Sequence, residues 1–273
     1  MFKISVIIPT YKPQDYLWEC LDSLLIQTFP KEDFEIILVL NGCIEPYKSK
    51  IEQYIVDKMQ GVNVNFIHTE VGGVSNARNI ALDQTRGEFI TFLDDDDYFS
   101  KTTLERIYTK ASRDCIAVFK PLAFYDNSRE FFDYSRTKEF ENNKSESTVP
   151  FYKVRKVFGG PVMKLIHRDI IGSRRYDLSF KNGEDSLFMF LISDRMKNVT
   201  FASDDAIYYR RVRINSAATS TRSFGDVFRN SIRLIMEYTR IYVGNMKEYN
   251  FRFYATRVLG AVRAILNYNK VTY

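Results

Sequence analysis

The run Asp94-Asp95-Asp96-Asp97 follows directly on the apolar stretch Glu88–Leu93 and is the sharpest chemical feature of the sequence. Four adjacent carboxylates repel one another, so folding them together favours a neutralising cation. All-oxygen donors of this kind suit Mg²⁺ or Mn²⁺, shared with the phosphate oxygens of a ligand. A solvated acidic turn at a strand end explains the run equally well when it is taken alone. Its position favours the metal reading, because ligands of open α/β sheets bind beyond the carboxyl ends of the strands. Just upstream, Gly72-Gly73-Val74-Ser75-Asn76-Ala77-Arg78-Asn79 reads as a glycine turn leading into a short helix, from which Arg78 can reach a phosphate or a carboxylate. No G-x-G-x-x-G follows the first apolar run and no G-x-x-x-x-G-K-[ST] is present, so a dinucleotide fold or P-loop has no support.

The elements that must position these residues follow from the apolar pattern. Ile4–Pro9, Glu35–Leu40, Val62–Ile67, Glu88–Leu93 and Cys115–Phe119 are near-continuous apolar runs, as expected of a parallel sheet covered on both faces. Between them Leu17, Leu21, Leu24 and Leu25, and then Ile51, Tyr54 and Ile55, recur at helical spacing. The alternation predicts a right-handed β-α-β series. Residues 126–149 are polar and read as a long loop or flap. Val162–Ile171 and Glu184–Met196 read as helical, Val199–Ala202 and Ala206–Tyr209 as strands, and the chain from Phe224 as helical again.

With 273 residues, 45% hydrophobic and 27% charged, the chain fits one large soluble domain, or one with a small appendage. No run of 18 apolar residues is present, which excludes a spanning helix. The first residues show no cleavable signal pattern. Cys20, Cys43 and Cys115 are far apart and form no C-x-x-C pair, so neither a disulfide framework nor a structural zinc site is expected, and a cytoplasmic protein is. The net charge of +5 is uneven: residues 206–273 hold 12 Lys/Arg against 3 Asp/Glu. A basic, aromatic segment of this kind points to an anionic surface or ligand; no nucleic-acid partner is expected.

Several motifs in order give the sequence a specific likeness. Val6-Ile7-Ile8-Pro9-Thr10-Tyr11, then Gly73–Asn79, then Gly87-Glu88-Phe89-Ile90-Thr91-Phe92-Leu93-Asp94-Asp95-Asp96-Asp97, then Gly183-Glu184-Asp185, and finally Tyr208-Tyr209-Arg210-Arg211 followed by Ser216 resemble the inverting nucleotide-sugar glycosyltransferases of family 2, over residues 3–220. The resemblance implies a GT-A fold: one Rossmann-like, mostly parallel sheet with helices on both faces, plus a helical C-terminal extension. It divides the chain into a catalytic domain at 1–220, with a nucleotide half at about 1–120 and an acceptor half at about 121–220, and an extension at 221–273. It implies that Pro9, Thr10, Tyr11, Asn41, Arg78, Asp94 and Asp95 bind a nucleotide-sugar donor, expected to be a UDP-sugar. Asp96 and Asp94 are implied as ligands of Mn²⁺ or Mg²⁺, Glu184 as an acceptor contact and Asp185 as the catalytic base. The acceptor implied is a glycan or lipid-linked chain of surface polysaccharide synthesis. One departure stands out: the family's Asp pair after the second strand is replaced by Val39-Leu40-Asn41-Gly42-Cys43, and Leu40 has no side-chain acceptor for a base while Asn41 has both donor and acceptor.

Simpler roles compete at single positions. Glu184 and Asp185 also suit a helix N-terminus, where the dipole favours acids; His167 and Trp18 suit packing; Cys43 has no partner of a nucleophile; Gly159-Gly160-Pro161 suits a plain loop. A sugar nucleotidyltransferase needs a glycine-rich loop where Pro9-Thr10-Tyr11-Lys12-Pro13 stands, and a glycoside hydrolase needs no four-Asp cluster. A non-catalytic binding protein of the same fold stays open because the base-binding Asp is missing. In the basic segment Arg222, Arg229, Arg233 and Arg240 follow spacings that place them along one side of a helix. That helix either docks peripherally on the inner face of an anionic membrane or packs its apolar face on the catalytic domain.

Overall fold

The computed structural model describes residues 1–213 and 223–268. The strands are β1 (Ile4–Thr10), β2 (Phe34–Asn41), β3 (Asn63–Thr69), β4 (Phe89–Phe92), β5 (Tyr98–Phe99), β6 (Cys115–Val118), β7 (Lys120–Tyr125), β8 (Phe131–Phe132), β9 (Val149–Pro150), β10 (Lys164–His167), β11 (Asn198–Phe201) and β12 (Ile207–Val212). The helices are α1 (Tyr16–Leu25), α2 (Tyr47–Lys58), α3 (Val74–Gln84), α4 (Thr103–Tyr108), α5 (Ser135–Asn143), α6 (Arg168–Ile171), α7 (Glu184–Leu191), α8 (Phe224–Gly244) and α9 (Phe251–Leu266).

Eight strands form the large sheet in the order β3-β2-β1-β4-β10-β6-β11-β9. Strands β3, β2, β1 and β4 run parallel to their neighbours, while β10 is antiparallel to both β4 and β6. Every residue of β1 and β2 is buried, the consequence of helices on both faces. Helix α1 turns Leu17, Leu21 and Leu24 to the sheet, the i, i+4, i+7 spacing that puts them on one face. The expected large, mostly parallel sheet with helices and a helical C-terminal segment is therefore present.

A second sheet joins it, ordered β5-β12-β7-β8. It adds to the large, mostly parallel sheet that the resemblance implies, and its edge strand β5, two residues long, follows the acidic run without a break. This small sheet holds that run from beneath. Two expectations are corrected. The apolar patch at Val162–Ile171 is the central strand β10 followed by the single turn α6; short apolar runs do not separate strand from helix by periodicity. The polar segment at 126–149 contains β8, α5 and the start of β9. Helix α5 buries only Phe140 and is held by ion pairs in which Lys120 and Lys144 bridge Glu141 and Asp204.

Helix α8 buries Ser231, Leu234, Tyr238 and Ile241 against α7 and α9, so its inner face packs on the catalytic body, while Phe224, Phe228 and Met236 stay exposed. Arg240 pairs with Glu237, Arg233 lies over the Phe180 ring at 4.6 Å, and Arg222 and Ser216 fall outside the described residues. Among the described residues no helix is long and apolar enough to cross a membrane.

Candidate active site

At the carboxyl ends of β1, β2 and β4 three loops meet and are tied by side chains. Asn41, 3% exposed, donates from Nδ2 to the Thr10 carbonyl at 2.7 Å. Its Oδ1 accepts from the Gly73 N–H at 2.8 Å, which sets the entry to α3. Gly73 has φ 127°, a conformation that requires glycine. Gly42 approaches Gly72 so closely that a Cβ at Gly42 would lie 2.7 Å from the Gly72 Cα. The third loop is joined by Thr10, whose hydroxyl donates to Asp95 at 2.5 Å. The exposed ring of Tyr11 stands against Gly42. Thr10, Asn41 and Asp95 thus form one hydrogen-bonded framework with the exposed Tyr11 at its edge, while Pro9 is buried in β1 and Leu40 in β2.

Arg78 makes the second cluster. Projecting from α3 and almost wholly buried, it donates from Nη2 to Asp94 at 2.9 Å and from Nη1 to Asp185 at 2.5 Å. Its guanidinium faces the Tyr176 ring at 5.6 Å. Burial works against the charge, but Asp185, Tyr176 and Asp94 outweigh it and raise the pKa further. Arg78 therefore meets a carboxylate, as one of its two expected partners, and joins the acidic run to the first turn of α7. Gly183 opens that helix with φ 80°. Burial pushes the Asp185 carboxyl above the ordinary range, with Arg78 pulling the other way. Glu184, partly exposed, precedes it in the same turn.

The four aspartates divide by role. Asp97 is buried and accepts from the Tyr208 hydroxyl at 2.6 Å and from the Arg211 N–H at 2.7 Å; burial and the charges of Asp96 and Asp94 hold its carboxyl well above the ordinary range. It anchors the turn to β12. Asp96 accepts from Arg213 Nε at 2.7 Å, and the Arg211 guanidinium holds its backbone carbonyl while reaching Asp126 and Glu19. Asp95, although partly open to solvent, is crowded by protein: burial and the neighbouring Asp96 push it up to about 7, against the Thr10 hydrogen bond.

That shift makes a testable linkage. The folded protein binds a proton at Asp95 up to about pH 7, whereas an unfolded aspartate releases it near 3.8, so the contribution to stability is present below the unfolded value and lost as pH rises to about 7. Asp95→Asn, which still accepts from Thr10, is expected to flatten the fall in Tm between pH 5 and pH 8 and to leave it several degrees above wild type at pH 8. Equal Tm–pH slopes in calorimetry would remove the assignment.

The donor set fits a hard divalent cation. Asp94 and Asp96 offer oxygen only, and among the described residues no three His, Cys, Asp or Glu side chains are grouped to hold an ion alone. Each of the two is ion-paired in this structure, Asp94 with Arg78 and Asp96 with Arg213; an ion held by one or two carboxylates is completed by phosphate oxygens and water.

The remaining expectations resolve into packing. His167 lies opposite Phe89, at the far end of β4 from the acidic run, and caps α6 by accepting from the Asp169 N–H at 3.2 Å. Trp18 stacks on Tyr54 at 4.6 Å, and Cys43 Sγ accepts from the Lys12 N–H. Three residues at the site escaped the sequence reading: Arg213; Lys164, buried with Nζ on the Gly160 and Val162 carbonyls at 2.7 and 2.8 Å; and Arg257. A lysine inside an apolar run was the available signal for Lys164.

The model of the family described as Glycosyl transferase family 2 matches residues 5–175. The poly(ribitol-phosphate) beta-N-acetylglucosaminyltransferase TarS of Staphylococcus aureus is 28% identical over 235 residues, 84% of this chain and 40% of its own. The minor teichoic acid biosynthesis protein GgaB of Bacillus subtilis is 29% identical over 81% of this chain and 24% of its own. This chain therefore spans less than half the length of these relatives. The crystal structure of S. aureus TarS superposes with a TM-score of 0.69 at 25% identity, covering 98% of this chain and 43% of that one. TarS 1–349 in complex with UDP-GlcNAc gives 0.71 at 24% identity, over 99% of this chain and 73% of that one. More than half of the chain matches the family model, and the chain belongs to glycosyl transferase family 2.

Proposed function

We propose that the protein is a metal-dependent inverting glycosyltransferase that moves a sugar from a UDP-sugar to a glycan or lipid-linked acceptor of surface polysaccharide. The observation that carries this reading is Arg78, a buried guanidinium that ion-pairs with both Asp94 and Asp185. A base and a diphosphate-side carboxylate are thereby held by one cation. The relatives' names supply the polysaccharide context: one is a poly(ribitol-phosphate) sugar transferase, another a teichoic acid biosynthesis protein.

The reaction is a single displacement. The acceptor hydroxyl attacks the anomeric carbon, the bond to the diphosphate oxygen breaks, and the configuration inverts. Asp185 accepts the hydroxyl proton as the new bond forms. A carboxyl raised above its ordinary value by burial is a better base, and Arg78 beside it favours the ionised form. Residues at about 1–120 hold the donor: the Tyr11 ring offers a stacking face to the nucleobase, and the framework built by Thr10, Asn41 and Asp95 sets the loop that carries it. Residues at about 121–220 hold the acceptor, with Glu184 beside the base, and the helices after 220 extend the body. A divalent ion bound by Asp94 and Asp96 would stabilise the charge of the departing diphosphate.

A screen of nucleotide sugars with and without Mn²⁺, reading released nucleoside diphosphate, tests the function. Metal-stimulated turnover of a UDP-sugar is expected. Absence of turnover with every donor, in the presence of metal and of polyol-phosphate and lipid-linked acceptors, would leave a binding protein instead.

A further inference from the structure

Arg257 lies on α9, outside the stretch that the family model matches, and the chemistry described above leaves it unused. Its Nη1 donates to the Ser186 hydroxyl at 3.2 Å and its Nη2 to the Phe158 carbonyl at 2.9 Å. Both targets adjoin the base. Ser186 follows Asp185 in α7, and Phe158 precedes Gly159-Gly160, whose second glycine lies so close that a Cβ there would be 3.4 Å from the Asp185 Oδ2. One guanidinium thus ties the helix that carries the base to the loop that walls it.

The same loop is held from its other side, where buried Lys164 donates to the Gly160 carbonyl at 2.7 Å. Ser186 Oγ also accepts from the Tyr238 hydroxyl of α8 at 2.9 Å. Leu234 of α8 closes on Gly183, where a Cβ would meet its Cδ1 at 2.7 Å. Asn230 adds a hydrogen bond to the Asn182 carbonyl at 3.1 Å. The helical pair α8–α9 therefore grips residues 182–186 through Asn230, Leu234, Tyr238 and Arg257, and among these Arg257 also reaches the facing loop. The guanidinium is seated on Phe253 at 4.4 Å, and its Nε is buried without a partner. A desolvated cation left with one unmade hydrogen bond is costly to keep. A brace between α7 and the 158–160 loop needs only the two bonds made by Nη1 and Nη2.

We propose that Arg257 is a positioning residue for the transfer reaction: by bridging Ser186 and the Phe158 carbonyl it fixes the Asp185 carboxylate against the acceptor hydroxyl. The inference rests on Asp185 being the base. It makes the C-terminal helical pair part of the catalytic apparatus. Positioning errors of about 1 Å cost about 10²-fold in rate, so the effect belongs in kcat and not in donor affinity.

The test uses the full chain with its UDP-sugar and acceptor, comparing Arg257→Gln, Arg257→Lys and Ser186→Ala with wild type, each also placed on Asp185→Asn. Arg257→Gln is expected to lower transfer kcat about 10–100-fold with donor KM within about twofold. Arg257→Lys, which can keep one of the two bonds, recovers part of the loss. On the Asp185→Asn background the Arg257 changes have no further effect on kcat, as for residues acting as one unit. If Arg257→Gln does not fold, Arg257→Lys and Ser186→Ala carry the test through the same kcat-against-KM split. Wild-type kcat in the folded variants, or an equal further loss on the Asp185→Asn background, would overturn the positioning role. Full turnover by Asp185→Asn alone would instead remove the base reading on which it rests.

Discussion

Asp185→Asn is expected to lower sugar transfer by about 10²–10⁴-fold, the range that general-base catalysis supplies, while the donor Kd changes by less than about twofold. The amide is nearly isosteric with the carboxylate, and its oxygen still accepts the Arg78 Nη1 bond now made to Oδ1. It cannot take up a proton. Arg78 keeps its second anionic partner in Asp94, so the variant retains the packing of α3 against α7. The pH dependence separates a lost base from a disturbed fold. Burial raises the wild-type carboxyl and Arg78 only partly offsets it, so activity falls as pH drops through a value above the ordinary aspartate range. The variant loses the part of the acid limb that belongs to Asp185 and keeps what Asp95 contributes near pH 7. Stopped assays at saturating donor from pH 5 to pH 8, together with a calorimetric donor titration, measure both quantities. Retained turnover with an unchanged acid limb would assign the proton to another group.

The large sheet was legible because its strands are nearly unbroken apolar runs. Ile4–Thr10 and Phe34–Asn41 are buried at every position, and that burial writes itself into composition. The central strand β10 was misread for the same reason. Its four residues are all buried, and so short a run leaves no period to read. Helix α5 went unseen because it buries one residue and is otherwise held by ion pairs, Glu141 with Lys120 and Lys144 with Asp204 among them, which leave no apolar period in the sequence.

Within the site, motifs placed Thr10, Asn41, Arg78, the aspartates and Asp185 at one end of the sheet, but not their bonds to one another. Arg78 and Asp185 are 107 positions apart, and no local pattern says that they touch. Asn41 illustrates the difference: its amide type was readable as a base contact, whereas in the fold both its donor and its acceptor tie backbone. Arg213, which faces Asp96, and Arg257 come from the basic C-terminal segment, whose excess charge was visible without its targets. Part of that charge serves the acidic run and the helix carrying the base, not a distant surface.

Asp96→Ala is expected to abolish metal-stimulated turnover, with a loss of at least about 10²-fold, because charge stabilisation by an ion is worth several kcal/mol. Asp96 sits where Asp94 and the buried surroundings raise its carboxyl against the pull of Arg213. Its ionised form is thus under strain from like charge in the unliganded protein, and removing it relieves Asp95 and Asp97 as well, since Asp96 raises both. Stability and activity should therefore move apart. At pH 8 the unliganded variant is expected to melt at or above the wild-type temperature, with Arg213 partly solvated at 28% side-chain exposure and turning towards Asp95. The same variant should lose the rise in Tm that UDP with Mn²⁺ gives over UDP alone, because a ligand stabilises only the form that binds it. A scaffold role for Asp96 predicts the reverse, a lower Tm with the metal effect intact. Near wild-type turnover by the variant in the presence of EDTA would show that the leaving diphosphate is stabilised by protein cations, with Arg78 and Arg213 the residues to replace next.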